Sequence, residues 1–217
     1  MPPTQKRARV AYPCRVCSQD CLMEQESIQC DGCECWLHQQ CICMSYTQYV
    51  TFSAPHLQFF CKHCIGTADQ YNVASSLSRI AVHAPDLIRM REQAESELNL
   101  LQFYSVSLPH VVQVASDQVN IHKQSQHLLP WLLHQYVPAD VAGDGNCLFR
   151  AVSLAMYGNE SQHSLLRLLA AIEVLLHSTL YDTTSQYYYE PYRVDDCLVL
   201  GSYQSFVCDI VQHGTYV

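Results

Sequence analysis

Seven cysteines and one histidine between Cys14 and Cys64 form four pairs, Cys14/Cys17, Cys30/Cys33, His38/Cys41 and Cys61/Cys64, each with two residues between its members. That gap lets two thiolates, or an imidazole and a thiolate, close on one tetrahedral Zn²⁺, so four pairs make two complete four-ligand sites. With no coordination position left for water or substrate, both zincs are structural. The segment also needs them. About fifty residues carry only scattered large apolar side chains (Ile28, Trp36, Leu37, Ile42, Leu57, Phe59, Phe60), too few to offset chain entropy at this size. Metal binding supplies the folding free energy instead, roughly 10–16 kcal/mol per structural site in small fingers. A disulfide framework is the alternative for a cysteine-rich segment, but no apolar export signal precedes it, and CxxC spacing favours metal. Cys21, Cys35 and Cys43 stand outside the pairs and read as small hydrophobes, with Cys35 close enough to Cys33 to compete as a ligand.

A second stretch with chemical potential is Asp144-Gly145-Asn146-Cys147-Leu148-Phe149-Arg150-Ala151, following the segment that starts at Pro138. Glycines let the loop turn tightly, and a cysteine opening an apolar-periodic helix (Leu148, Val152, Leu154, Ala155) has its thiolate favoured by the helix N-terminus. Backbone N–H groups around such a turn can hold a developing oxyanion. Taken alone, a cysteine at a helix start is more often structural than catalytic. His110, His122, His127 and His134 lack ligand spacing and read as surface or packing histidines.

The elements that must position these groups follow from patterning. At 217 residues, with 49% hydrophobic content and no apolar run of membrane-spanning length, the chain has room for two modest domains. A net charge of −8 argues against general nucleic-acid binding. The local exception is Lys6, Arg7 and Arg9 in a polar tail, a short cluster suited to nuclear import or to touching DNA. Thirteen cysteines without an export signal suit a reducing compartment in which zinc holds thiolates. Residues 86–104 place Leu87, Met90, Ala94, Leu98 and Leu101 at helical steps, with Arg89, Arg91, Glu92, Glu95 and Glu97 mostly on other faces and Pro85 at the first turn. This amphipathic helix is expected as a spacer or packing element. The stretch from Leu108 to His134 mixes strand-like valines with an apolar anchor around Trp131. The expected architecture is α+β: a basic disordered tail over 1–11, a zinc finger over 12–66, a helical connector over 67–136, and a partial α/β domain over 137–217.

The zinc-ligand order, four Cys, one His, three Cys, resembles the PHD finger, as do Trp36 two residues before His38, the CDGC step from Cys30 to Cys33, and Phe59-Phe60 abutting the last CxxC. The YPC start and the MSYTQYV stretch look particularly like the Pygopus-type finger. The resemblance implies interleaved ligation in a two-zinc cross-brace: Cys14, Cys17, His38 and Cys41 on one zinc, Cys30, Cys33, Cys61 and Cys64 on the other. It also implies binding of a histone tail added as a strand along residues 24–29. Tyr12 and Trp36 match positions of an aromatic cage for methyl-lysine, in which ring faces attract a cation that cannot donate hydrogen bonds. The plainer alternative has Trp36 packing on the zinc core with Tyr12 as its cap.

The stretch DGNCLFRA resembles the signature of the OTU family of cysteine proteases, which remove ubiquitin, and residues 158–180 continue the likeness with a polar turn and a long helix. By that resemblance Cys147 is the nucleophile, and the Asp144 loop shapes the oxyanion hole. The family needs a general-base histidine on a late strand, farther beyond the cysteine than this sequence runs. His213 falls in the helical region expected to precede those strands (residues 192–217), and His163 and His177 lie earlier still. A thiol without its base loses several powers of ten in rate, so a C-terminally incomplete, inactive domain is expected. Residues 165–180 are also similar to the OTU-like domain of vertnin, which implies a transcriptional setting, and the domain pairing is similar to transposon-derived genes. The expected function is a nuclear, zinc-binding, chromatin-associated protein whose finger takes a histone tail or similar peptide. The competing readings are a ubiquitin-directed cysteine protease, in the nucleus or cytoplasm, and a zinc-stabilised interaction module with no histone preference.

Overall fold

The computed structural model describes residues 12–66, 71–113, 138–182, 202–212 and 214–215. The basic cluster at Lys6, Arg7 and Arg9, the anchor at Trp131, the residues Asp195, Asp196, Val199 and Leu200, and His213 lie outside the described residues.

In the N-terminal segment regular structure is sparse. Strands β1 (Ser27–Gln29) and β2 (Trp36–His38) form an antiparallel pair with Ile28 opposite Leu37, and these two side chains are buried on one face. A 3₁₀ turn (Gln40–Ile42) leads to α1 (Tyr46–Phe52), which starts on a capping box: Ser45 Oγ accepts from Gln48 N–H, and Gln48 Oε1 accepts from Ser45 N–H. The short α2 (Lys62–Ile65) opens directly at Cys61. The segment's small core joins Ile28, Leu37, Met44, Phe52 and Phe59.

The remainder of the described structure is helical. Helix α3 (Val73–Ala81) starts where Asn72 Oδ1 accepts from Ser75 N–H. Helix α4 (Leu87–Phe103) starts at Asp86, whose carboxylate accepts from the N–H groups of Ile88 and Arg89. Pro85 therefore sits one residue before the cap rather than in the first turn. Beyond it lie α5 (Cys147–Tyr157), α6 (His163–Leu176), α7 (Ser178–Tyr181) and α8 (Tyr203–Val211). Their core is built on α6, where Leu165, Leu168, Ala171, Ile172 and Leu175 meet Leu77 and Ile80 of α3, Met90 and Ala94 of α4, and Val207 and Ile210 of α8.

Two expected faces are turned differently. On α5 the buried positions are Phe149, Ser153 and Tyr157, spaced four apart, whereas Leu148 and Val152 are exposed. Phe149 joins the core built on α6, and Ser153 is satisfied by donating to Asn159 O at 2.6 Å. On α4, Met90, Ala94 and Leu101 are buried as patterned, but so are Gln93, Ser96 and Glu97. Glu97 leaves the solvent face because a complete set of donors awaits it. Arg79 clamps it bidentately at 2.6 and 2.8 Å, Gln93 donates at 3.0 Å and the Tyr71 hydroxyl at 2.9 Å.

Helix α4 is also what joins the segments. Leu100 is fully buried in the core of the N-terminal segment, while Leu101, one residue on, belongs to the helical core. Phe103 stands edge-on to Phe52 and Phe59 with centroids 6.1 and 5.9 Å away. Tyr104 donates to Phe60 O at 2.8 Å, Gln58 N–H donates to Ser96 Oγ at 3.1 Å, and the Arg79 guanidinium lies 4.6 Å from the Phe60 ring centroid.

Candidate functional site

The spacing of the cysteine pairs becomes geometry through short local bends. Cys14 and Cys17 flank a turn bridged by Ser18 N–H donating to Cys14 O, and Cys30 and Cys33 flank one closed by Glu34 N–H on Cys30 O. Cys61 and Cys64 sit on the first turn of α2, and His38 and Cys41 at the end of β2 and in the 3₁₀ turn. Two clusters result, Cys14, Cys17, His38, Cys41 and Cys30, Cys33, Cys61, Cys64, with one ligand atom from each residue and all atoms of a cluster within 4.8 Å of one another.

These clusters fit zinc. With Zn–S near 2.3 Å, a tetrahedron has S···S edges of about 3.8 Å. Cys33 Sγ and Cys61 Sγ lie 3.8 Å apart, and His38 Nδ1 lies 3.4 Å from Cys17 Sγ and 3.8 Å from Cys41 Sγ. His38 therefore offers Nδ1 to the cluster, while its Nε2 meets Gln25 Oε1 at 3.0 Å, the outer contact that fixes a ligating ring. Backbone N–H groups of His38 and Cys61 donate to the sulfurs of Cys14 and Cys30. Thiol acidities split as expected when several anions crowd one point. Burial opposes ionisation of Cys14, yet N–H donors from Cys17, His38 and Val16 bring it down to about 6. Burial and then the Cys17 and Cys14 thiols push Cys41 up to about 11. A dication at the centre removes that conflict. Two Cys/His clusters in this interleaved order fit a two-zinc cross-brace.

Cys35 lies outside the four-thiol cluster, and its Sγ accepts from Arg15 Nη1 at 3.4 Å, as Cys33 Sγ also does. Arg15 is thus an outer partner of the second cluster that spacing alone did not reveal. The signal lay in its position directly after a ligand, where a bridge between Cys14 and Trp36 and a bond from Arg15 N–H to Trp36 O carry it across β2.

Tyr12 and Trp36 come together, with ring centroids 5.6 Å apart and planes inclined at 55°, and Tyr12 is 47% exposed. Trp36 pairs with Gln29 at the end of the two-stranded ladder. Gln39 N–H donates to Glu26 O and Cys30 N–H to Cys35 O, so strand alternation turns the N–H and C=O groups of Ser27 and Gln29 away from β2. Among the described residues that outer edge of β1 has no pairing strand.

At the other candidate site, Cys147 is the first residue of α5 and half-buried. The preceding turn is held at every residue. Asp144 accepts from Arg150 at 2.6 and 3.0 Å and from Asn146 N–H at 3.1 Å, and Arg150 also reaches Glu160 at 3.1 Å. The Arg150 hydrogen bonds, opposed by slight burial, hold the Asp144 carboxyl well below the usual carboxylate range. Gly145 adopts φ +80°, and a Cβ there would run into the Gly214 carbonyl, so glycine is required on both counts. His163 turns Nδ1 to Glu160 O at 2.8 Å and Nε2 to Ser164 Oγ at 3.1 Å, and His177 faces Glu173. Among the described residues no histidine ring is hydrogen-bonded to Cys147. A cavity of about 470 Å³ beside the end of α4, lined by Arg15, Val16, Ile42, Phe103 and Tyr104 among others, touches neither Trp36 nor Cys147.

Two family models match the chain. Residues 11–68 are similar to the Pygopus PHD-type zinc finger, and residues 138–209 to the vertnin OTU domain. No curated protein and no solved structure matches it. The architecture is that of a PHD-type zinc finger followed by an OTU-like domain, and the chain is a zinc-finger protein. No described helix is long and apolar enough to cross a membrane.

Proposed function

We propose that this chain is a peptide reader in chromatin, in which the zinc finger adds an extended peptide, a histone N-terminal tail, to the outer edge of β1 and receives an alkylated lysine between Tyr12 and Trp36. The observation that carries the reading is the inclined Tyr12/Trp36 pair at the end of a ladder whose other edge has no pairing strand among the described residues. Main-chain bonds from Ser27 and Gln29 would supply affinity without sequence preference, and the ring faces would supply the choice of side chain. The pH-independent charge of a trimethylammonium suits two aromatic walls better than a hydrogen-bonding lysine does. Nuclear residence follows from this partner, with Lys6, Arg7 and Arg9 as the import signal.

The test is titration of zinc-loaded protein with histone H3 tail peptides, unmodified and trimethylated at each lysine, read by calorimetry. Trp36→Ala is expected to weaken the preferred peptide about 5- to 30-fold, in line with roughly 1–2 kcal/mol for a desolvated cation–π contact. Tyr12→Ala is expected to cost less, its ring being the more exposed. Equal binding by parent and Trp36→Ala would leave a zinc-stabilised interaction module with no cage.

A second reading concerns the other end of the chain. The pinned turn that presents Cys147 at the start of α5 favours a reactive thiol directed at ubiquitin conjugates. Hydrolysis of a ubiquitin C-terminal fluorogenic substrate, run beside Cys147→Ala, tests it. Loss of turnover in the variant would make the protein an enzyme, and indistinguishable traces would leave the OTU-like part as a docking body.

A further inference from the structure

We propose that Arg167 is a positioning residue for Cys147, locking the Gly145–Asn146 turn against the carbonyl end of α8 so that the reactivity of the thiol depends on a side chain that does not touch it. The inference rests on the second reading above, in which Cys147 is a reactive group.

Arg167 is fully buried in α6 and, among the described residues, has no carboxylate partner in hydrogen-bond range. Its guanidinium instead reaches six oxygens. On one side Nη1 donates to Gly145 O at 3.1 Å and Asn146 Oδ1 at 2.7 Å. On the other, Nε donates to Ile210 O at 2.8 Å, and Nη2 to the carbonyls of Asp209, Gln212 and Thr215 at 2.7, 2.7 and 2.9 Å. A helix leaves its last carbonyls without intrahelical donors, and their partial negative charge is complementary to a cation. A planar fork with five N–H groups can hold that carbonyl cluster and the turn at once, which an ammonium on a flexible stem cannot. The Phe149 ring lies 5.3 Å from the guanidinium carbon and closes the remaining side.

The turn needs this outside support. Asn146 caps α5 without a side-chain bond to the helix, because its Oδ1 is committed to Arg167 and to Gly214 N–H at 3.4 Å. The Arg167 contact also fixes which way the amide points, leaving Asn146 Nδ2 buried and, among the described residues, without a partner. A buried unsatisfied donor is costly, and a relaxed turn would free it to find one. The guanidinium therefore holds Asn146 and Gly145 in an arrangement that the turn's own hydrogen bonds do not fully satisfy, with Cys147 the next residue.

The test is the pH profile of Cys147 alkylation by iodoacetamide in the full zinc-loaded chain, resolved by peptide mass spectrometry. Among the described residues the charged groups set around the turn are Asp144, Arg150 and Glu160 beside α5, and Arg167 and Asp209 from α6 and α8. Three variants are compared with the parent: Arg167→Lys, Arg167→Met, and Leu168→Ala, which opens the α6 core beside Arg167 without touching the turn. Arg167→Lys is expected to keep parental helicity and zinc content while Cys147 alkylation slows. Its neutral-pH rate should fall about two- to fivefold, the scale of a weakened helix N-terminus. Leu168→Ala should lower the melting temperature and leave the profile in place. A superimposable profile for Arg167→Lys and Arg167→Met, an equal displacement in Leu168→Ala, or loss of helicity in Arg167→Lys would each overturn the proposal. Absence of ubiquitin hydrolysis by the parent would remove the enzymatic reading alone, leaving the alkylation result intact.

Discussion

Single residues in this protein act through how completely their partners satisfy them. Each zinc cluster takes one atom from each of four side chains, so no ligand is spare. Cys30→Ser is expected to reduce bound zinc from two equivalents to about one, checked by elemental analysis of dialysed protein, and to unfold the finger locally. Asp144 shows the reverse dependence on a neighbour. Arg150 depresses its pKa, so the folded state binds this proton less readily than the unfolded chain. The resulting stabilisation is complete above the ordinary carboxylate value of about 4 and is lost as pH falls through the depressed value. Arg150→Gln should return the Asp144 titration toward the ordinary range, measured by carbon NMR of its carboxyl group.

At the scale of elements, α4 is held by polar groups as firmly as by its apolar stripe. Glu97 has a side chain with no exposure and receives Arg79, Gln93 and Tyr71. Removing one member of a buried ion pair strands the other, at a cost of about 3–5 kcal/mol. Glu97→Ala is therefore expected to be strongly destabilising in urea denaturation, whereas Glu97→Gln, which keeps two acceptor lone pairs, should lose less. The same network explains why Tyr71 is pushed above the ordinary tyrosine range, first by burial and then by the Glu97 charge. The α5–α6 pair works differently: Phe149 enters the shared core while Leu148 and Val152 remain exposed.

Across the whole molecule, the finger and the helices are energetically linked through α4. Leu100 and Leu101 are adjacent in the chain yet serve separate cores, and Phe103 completes an aromatic cluster with Phe52 and Phe59. Leu100→Ala should cost about 2–5 kcal/mol. Because the lost contact lies on the finger side, it should also speed zinc release to a chelator, read with a chromogenic indicator. Conversely, stripping zinc with EDTA is expected to lower the melting temperature of the helical circular dichroism signal. An unchanged helical melt would mean that α4 keeps its place without the finger.

What the sequence determined by itself was the local chemistry. Two-residue gaps set which side chains can share a metal, and the bonds from Arg150 and Asn146 N–H to Asp144 shape part of the turn before Cys147, because both span only a few residues. The cross-brace fits that reading, and its interleaving was legible through likeness to known fingers. The tertiary structure alone decided the burial of Glu97, the rotation of α5, the bond from Arg15 to Cys33 and Cys35, and the reach of Arg167 from α6 to both the turn and the end of α8. A charged residue in a helical pattern reads as solvent-facing. Only the arrival of donors or carbonyls from distant segments makes its burial favourable, and no local spacing encodes that meeting.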